Sequence, residues 1–361
     1  MSTKTERSSH PAIKILESYK KLVWPEIKRY LRDPILPPSF RIPQKYQKDT
    51  QTYWKIVKEY PKRQGKYLRP TLLLLAAEAM GQEPKIAIKT AAAMQLSEDW
   101  LLIHDDFQDH SAVRRGKPTL HRMFGPELAV NAGDTLQIIM WKMLIDNQHV
   151  MGKKKALDLA NEFYTILKRT ADGQAIEIMW AKSRKTDFKD EDWFFIADGK
   201  TAYYSIAGPM RLGAMIAGAS TKQLNLLANF GLYLGRCFQL ADDILDLTSA
   251  YKGHAQQIGS DVYESKRTIM LSHLIRNTNQ KDKKRALSII KKPVEEKTKK
   301  EVEWIIERMH HYGSIQYGKG LAKKLKEKAY EIFKNDLGFL SHQPAKDHLE
   351  ILINFVLERT H

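Results

Sequence analysis

Three aspartates, Asp105, Asp106 and Asp109, stand at i, i+1 and i+4 in the string LLIHDDFQDH. On a helix turning about 100° per residue they share an arc about 100° wide. Leu96, Trp100, Ile103 and Phe107 form an apolar stripe, spaced 4, 3 and 4, that can anchor this helix to a core. The pattern returns as Asp242, Asp243 and Asp246 in FQLADDILDL, again on an apolar helical background. Carboxylates this close repel one another unless cations neutralise them, and a donor set made only of oxygen suits hard divalent ions such as magnesium. One triad would read as a solvated acidic face paired with lysines. Two triads in a basic chain point to metal.

Magnesium held by one or two carboxylates completes its shell with water and substrate phosphate oxygens, so the acids predict a phosphorylated substrate. Cations to receive it are Lys66 and Arg69 in GKYLRP and Arg114 and Arg115 in SAVRRGKPTLH, just after the first acids. Arg recognises phosphate with a bidentate fork, whereas Lys acts as a point charge. Gly199, Lys200 and Thr201 do not make a P-loop, because Phe194 stands where that loop needs glycine. This argues against a nucleotide kinase.

The elements that must position these residues read as helices. Segments 86–110, 155–182, 193–218, 222–249, 301–335 and 345–360 carry apolar residues three and four apart with few β-branched alternations. No Gly/Ser-rich or Pro-rich linker interrupts them, which predicts one all-α domain over 21–361 behind a mobile tail at 1–20. The charge runs Lys153–Lys155, Lys281–Arg285 and Lys291–Lys300 read as loops or solvated helix faces.

Composition narrows the class. The 361 residues hold 59 Lys and Arg against 42 Asp and Glu, a net +17, with 43% hydrophobic and 28% charged residues, which excludes wholesale disorder. The single cysteine, Cys237, forbids an intrachain disulfide or a zinc site needing two or more cysteines, and fits a reducing, cytoplasmic setting. The most apolar run, Leu72–Ala77, meets Glu78 well before the roughly 18 residues of a membrane span, which predicts a soluble chain. No zinc-finger, KH or RRM signature accompanies the basic charge, so nucleic acid is not an expected partner. Weak association with an anionic membrane surface and a lysine-rich composition without a partner both remain open explanations of the charge.

The landmarks GKYLRP, DDFQD with RRGKPTLH, NAGD, Gly173–Gln174, Lys200–Thr201, FQLADDILD and GSDVYESKRT follow in order from Gly65 to about Thr268. In this the chain resembles the trans-isoprenyl diphosphate synthases, the head-to-tail polyprenyl synthase family. The resemblance implies an all-α, single-domain helical bundle around a central elongation cavity, a homodimer, and three Mg2+ ions held between the two aspartate helices. It implies a prenyltransferase that joins isopentenyl diphosphate to an allylic prenyl diphosphate through an allylic cation. By the same resemblance Asp105, Asp106, Asp109, Asp242, Asp243 and Asp246 bind magnesium. Arg114, Lys200, Gln239 and Lys266 contact the allylic diphosphate, Lys66, Arg69 and Arg115 hold isopentenyl diphosphate, and Lys200, Thr201 and Gln239 lie near the cation. His104, beside the acids, is assigned to packing or ligand support rather than to base catalysis.

Two positions depart from the family pattern. Glu98 stands where the family has a His or Gln donor to isopentenyl diphosphate, and an ionised Glu only accepts hydrogen bonds. Ser97 or Asp99 could rearrange to compensate, or Glu98 could be protonated or turned onto Lys66 or Arg69. The family's Gly and Lys before the GSD motif are Ala255 and Gln256, with Lys252 as a substitute charge.

Product length follows the family's rule that an aromatic five residues before the first Asp floors the cavity. Trp100 holds that place, about 7–8 Å down the helix, and predicts geranylgeranyl diphosphate, with farnesyl or longer products as alternatives. A helical wheel instead favours Leu101, which it sets about 40° from Asp105 against about 140° for Trp100. Two rival functions remain. A non-catalytic subunit of a heteromeric synthase would be expected to lose acids or basic partners, and a class I terpene cyclase would not be expected to carry a second DDxxD.

Overall fold

A computed structural model describes residues 10–32, 37–248 and 258–358 of the chain. They fall into two compact units, 1–161 with 212–218, and 162–211 with 219–361. Two of the division's crossings, at 161/162 and 211/212, lie inside helices and the third in the short turn at Gly218, so no linker of distinct composition marks it.

The first unit contains α1 (Pro11–Tyr30), α2 (Gln47–Val57), α3 (Glu59–Arg63), α4 (Leu68–Ala79), α5 (Pro84–Gln108), α6 (Leu120–Phe124), α7 (Pro126–Asp146) and α8 (Gln148–Met151). The tail expected through residue 20 is corrected here. Pro11 opens α1, the His10 side chain accepts from the Ala12 N–H, and Ala12, Ile15, Leu16, Tyr19, Val23 and Ile27 are buried. That spacing makes one apolar face, and docking it fixes the helix. The run Leu72–Ala77 in α4 is buried on every side, as is most of α5 up to Ile103. A helix apolar all round belongs at the centre of a core, where α5 holds the first acids rigidly.

Helix α9 (Lys153–Lys182) begins in the first unit and ends in the second. It is followed by α10 (Asp190–Ala197), a π-helical stretch (Asp198–Ala207), α11 (Gly208–Ile216) and α12 (Thr221–Thr248). Then come α13 (Ser260–Tyr263), α14 (Ile269–Asn277), α15 (Gln280–Ile290), α16 (Lys299–His311), α17 (Ser314–Asp336) and α18 (Ala345–Glu358). The segment read as one helix over 301–335 breaks between α16 and α17, where Gly313 takes φ +71°, open to a residue without Cβ. The π-helical stretch packs against α9 where glycines meet. A Cβ on Gly173 would lie 2.9 Å from the Lys200 nitrogen, and one on Gly199 would lie 2.8 Å from the Arg169 carbonyl.

Among the described residues the only strands are Val113–Arg114 and Lys117–Pro118, paired antiparallel. Their turn residues, Arg115 (φ +52°) and Gly116 (φ +77°), both have positive φ, the pattern of a type I′ hairpin. No helix among the described residues is long and apolar enough to cross a membrane.

Candidate active site

In the first unit the acids of α5 divide by what holds them. Asp106 is fully buried, and its Oδ1 accepts from Arg114 Nε at 2.9 Å and Nη2 at 2.5 Å. The Tyr60 hydroxyl donates to Asp106 Oδ2 at 2.5 Å. Asp105 and Asp109, one turn apart, are half-buried. The hairpin thus folds Arg114 back on the helix that carries the acids, and Asp106 serves as its anchor.

Arg115, strained at the hairpin turn, is fixed by three acceptors. Its Nη1 donates to Asp99 Oδ1 at 2.9 Å and to the Tyr60 carbonyl at 3.2 Å, and its Nη2 pairs with Glu98 Oε1 at 3.4 Å. Glu98 Oε2 pairs with Arg69 Nη1 at 3.1 Å. Of the outcomes open for Glu98, the side chain turns onto Arg69 and takes Arg115 as well. Ser97 stays in the core, donating to the Met94 carbonyl. Burial pushes the Asp99 carboxyl up to about 6 against the pull of Arg115. Gly65 of GKYLRP leaves room for this cluster, since a Cβ there would meet Arg115 Nη2 at 2.7 Å.

Lower on α5, Trp100 is 9% exposed, its indole N–H has no acceptor among the described residues, and its ring meets His104 edge-on at 5.6 Å. Leu101 is half-buried. His104 Nε2 lies 3.2 Å from the Val130 carbonyl on α7, and a Cβ on Gly133 would collide with it at 2.4 Å. The same Nε2 lies 3.4 Å from Asp134 Oδ1, so both the glycine and the aspartate of NAGD border this half-buried ring.

In the second unit Glu177, Trp193, Lys200, Thr201, Gln239, Asp243 and Lys266 line a cavity of about 60 Å³. Lys200 Nζ pairs with Glu177 Oε2 at 2.7 Å. Burial alone would raise the Glu177 carboxyl, but Lys200 and then Lys266 hold it below the usual range. Thr201 Oγ1 donates to Gln239 Oε1 at 2.6 Å, and Gln239 Nε2 donates to Asp243 Oδ1 at 2.7 Å. The Trp193 indole N–H takes Asp243 Oδ2 at 2.9 Å. Burial, with the charge of Asp261, pushes the Asp243 carboxyl well above its ordinary value.

Asp246 is a cap. Its Oδ1 accepts from the Ser260 amide at 3.1 Å and hydroxyl at 2.6 Å, and its Oδ2 from the Asp261 amide at 3.1 Å. Asp242 is half-buried on α12. Lys266 pairs with Glu264 at 2.6 Å and Asp261 at 3.3 Å.

Sequence reasoning brought Lys200, Thr201, Gln239, Asp243 and Lys266 to one cavity. It missed Glu177, one turn beyond the Gly173 that it had singled out, and Tyr60 and Trp193, for which the spacing gave no signal. Ala255, Gln256 and Lys252 lie outside the described residues.

The donor set fits a hard cation. Asp105, Asp106 and Asp109 on α5 and Asp242, Asp243 and Asp246 on α12 offer carboxylate oxygens alone. Among the described residues no three His, Cys, Asp or Glu side chains gather closely enough to enclose an ion. Magnesium tolerates this, because water and phosphate oxygens complete its octahedron.

Residues 50–309 match the family model described as polyprenyl synthetase. The chain is 32% identical over 297 residues to a short chain isoprenyl diphosphate synthase of Methanothermobacter thermautotrophicus, covering 82% of this chain and 87% of that one. It is 30% identical over 295 residues to a geranylgeranyl diphosphate synthase of Saccharolobus solfataricus, covering 82% and 86%. A geranylfarnesyl diphosphate synthase of Natronomonas pharaonis is 28% identical over 313 residues, covering 82% and 87%. Among solved structures, geranylgeranyl pyrophosphate synthetase of Pyrococcus horikoshii aligns over 96% of this chain and 98% of its own, with TM-score 0.81 and 27% identity.

Proposed function

From the premise that the chain belongs to the polyprenyl synthetase family and is a prenyl diphosphate synthase, we propose that it extends an allylic diphosphate with isopentenyl diphosphate as far as geranylgeranyl diphosphate. The observation that carries the reading is the cavity in which Lys200, Thr201, Gln239, Asp243 and Lys266 meet, and the acids of α5 and α12, Asp105, Asp106, Asp109, Asp242, Asp243 and Asp246, are the carboxylates proposed for magnesium. A related synthase of Corynebacterium glutamicum was solved with isoprenyl diphosphate and magnesium. Bound magnesium supplies positive charge against the diphosphate and withdraws electrons from it.

The chain's own groups do the rest. Lys200 and Lys266 meet the charge that gathers on the departing allylic diphosphate, an arrangement of cations fixed before the bond breaks. Thr201 and Gln239, locked by their mutual hydrogen bond, present polar groups to the allylic cation without a nucleophile that would trap it. Lys66, Arg69 and Arg115 hold isopentenyl diphosphate so that its double bond attacks before water does. The proton lost afterwards goes to the released diphosphate. The reading is tested by whether magnesium, isopentenyl diphosphate and an allylic diphosphate together yield a longer prenyl diphosphate.

Glu98 makes this chain a special case, since its carboxylate occupies two arginines proposed for isopentenyl diphosphate. Glu98→Gln keeps the shape and removes the competing charge. Its KM for isopentenyl diphosphate is expected to fall about three- to tenfold, part of what a charge-assisted contact is worth. An unchanged or higher KM would mean that the carboxylate does not compete with substrate.

Trp100 forms the floor in this reading, because an indole whose N–H has no acceptor among the described residues acts as a plain apolar wall. Trp100→Ala should yield longer products, at about 3–5 kcal/mol of stability when no ligand fills the space. A folded, active variant that stops at the wild-type length would move the floor to Leu101. The enzyme works as a homodimer. Ile138 and Ile145, seven residues apart on α7 and 68% and 57% exposed, present the apolar face that a second copy would cover.

A further inference from the structure

Lys297 belongs to a charge run expected to be solvated, yet it alone of Lys291–Lys300 is buried, at 6% exposure. Its Nζ donates to the Tyr263 carbonyl and to Ser265 Oγ. No carboxylate among the described residues lies within ion-pair distance of it. Burial and the neighbouring Arg267 lower its pKa to about 8, so the fold places an ammonium where it is costly. Such placement needs a return beyond ordinary packing.

The return lies in the residue it holds. Ser265 adopts φ +59°, the left-handed region that a residue with a Cβ enters at a cost of about 1 kcal/mol or more. Three ties keep it there. Its hydroxyl accepts from Lys297 and donates to the Ile290 carbonyl at 2.8 Å, and its own carbonyl accepts from Arg267 Nη1. Arg267 is pinned in turn to the Trp180 carbonyl at 2.9 Å and the Lys185 carbonyl at 2.7 Å. The next residue after Ser265 is Lys266, which lines the cavity with Lys200.

We propose that Lys297 is a positioning residue for the allylic diphosphate: by holding Ser265 in its left-handed conformation it aims Lys266 into the cavity. This rests on the assignment of Lys266 to that substrate. Neither the family landmarks nor the helical periodicity singles out Lys297.

The test compares KM values in the magnesium-loaded enzyme. Lys297→Met is expected to raise KM for the allylic diphosphate about tenfold while KM for isopentenyl diphosphate stays within about twofold. Adding Ser265→Gly should recover a large part of the loss, because glycine holds a positive φ without the bond from Lys297. Equal rises for both substrates, no rise, or no recovery with glycine would overturn the proposal. Should Lys297→Met fail to fold, Ser265→Ala removes the hydroxyl with Lys297 in place. The same substrate-selective rise is expected, and an unchanged ratio overturns the proposal. Lys266→Ala serves as the control. If it leaves the allylic KM unchanged, the site assignment fails, whatever Lys297 does.

Discussion

Asp105→Ala and Asp242→Ala are each expected to cut condensation about a hundred- to a thousandfold or more, leaving a helical, folded protein. Both side chains are half-buried, so their removal opens no large cavity. What is lost is oxygen for a divalent cation, and excess magnesium should restore only a small part of the rate. Steady-state rates with circular dichroism as the folding check decide this. Retention of more than about a tenth of the wild-type rate in both variants would contradict the metal assignment.

Arg114→Ala should behave in the opposite way, losing stability as well as activity. Its guanidinium is the only cation within ion-pair distance of the fully buried Asp106 among the described residues, leaving the Tyr60 hydroxyl as that carboxylate's other donor. Removing one partner of a buried ion pair costs about 3–5 kcal/mol, because the other charge stays behind without compensation. Urea denaturation should show the fall in midpoint, and Arg114→Ala combined with Asp106→Asn should regain part of it. A variant as stable as wild type would mean that Asp106 has water or another cation at hand. The contrast with Asp105 separates two adjacent aspartates that a motif treats alike.

That contrast marks how far the sequence could be read. Two triads at i, i+1 and i+4 on apolar helices were visible because helical spacing is regular, and α5 and α12 carry them as expected. Spacing says nothing of what approaches from elsewhere in the chain. Tyr60 and Arg114 reach Asp106 through folding, and Trp193 reaches Asp243 across 50 residues. The hairpin at 113–118 escaped notice because two residues per strand carry no alternation. The π-helical stretch escaped because i+5 bonding changes the exposed face only slowly over ten residues. Only residues 11–20 of α1 fall in the expected tail, because the charged decapeptide before them masks Pro11 and the apolar stripe behind it. Lys297 was hidden in a run of like charges, where composition favours solvent and only tertiary structure reveals burial.

The central claim is tested most directly by incubating the purified chain with magnesium, labelled isopentenyl diphosphate and farnesyl diphosphate, and resolving the products by length. Magnesium-dependent conversion to geranylgeranyl diphosphate with little beyond it, abolished by chelator, is the predicted result. No incorporation of label with farnesyl or any shorter allylic diphosphate, or label-free cyclic hydrocarbons in place of longer diphosphates, would contradict it.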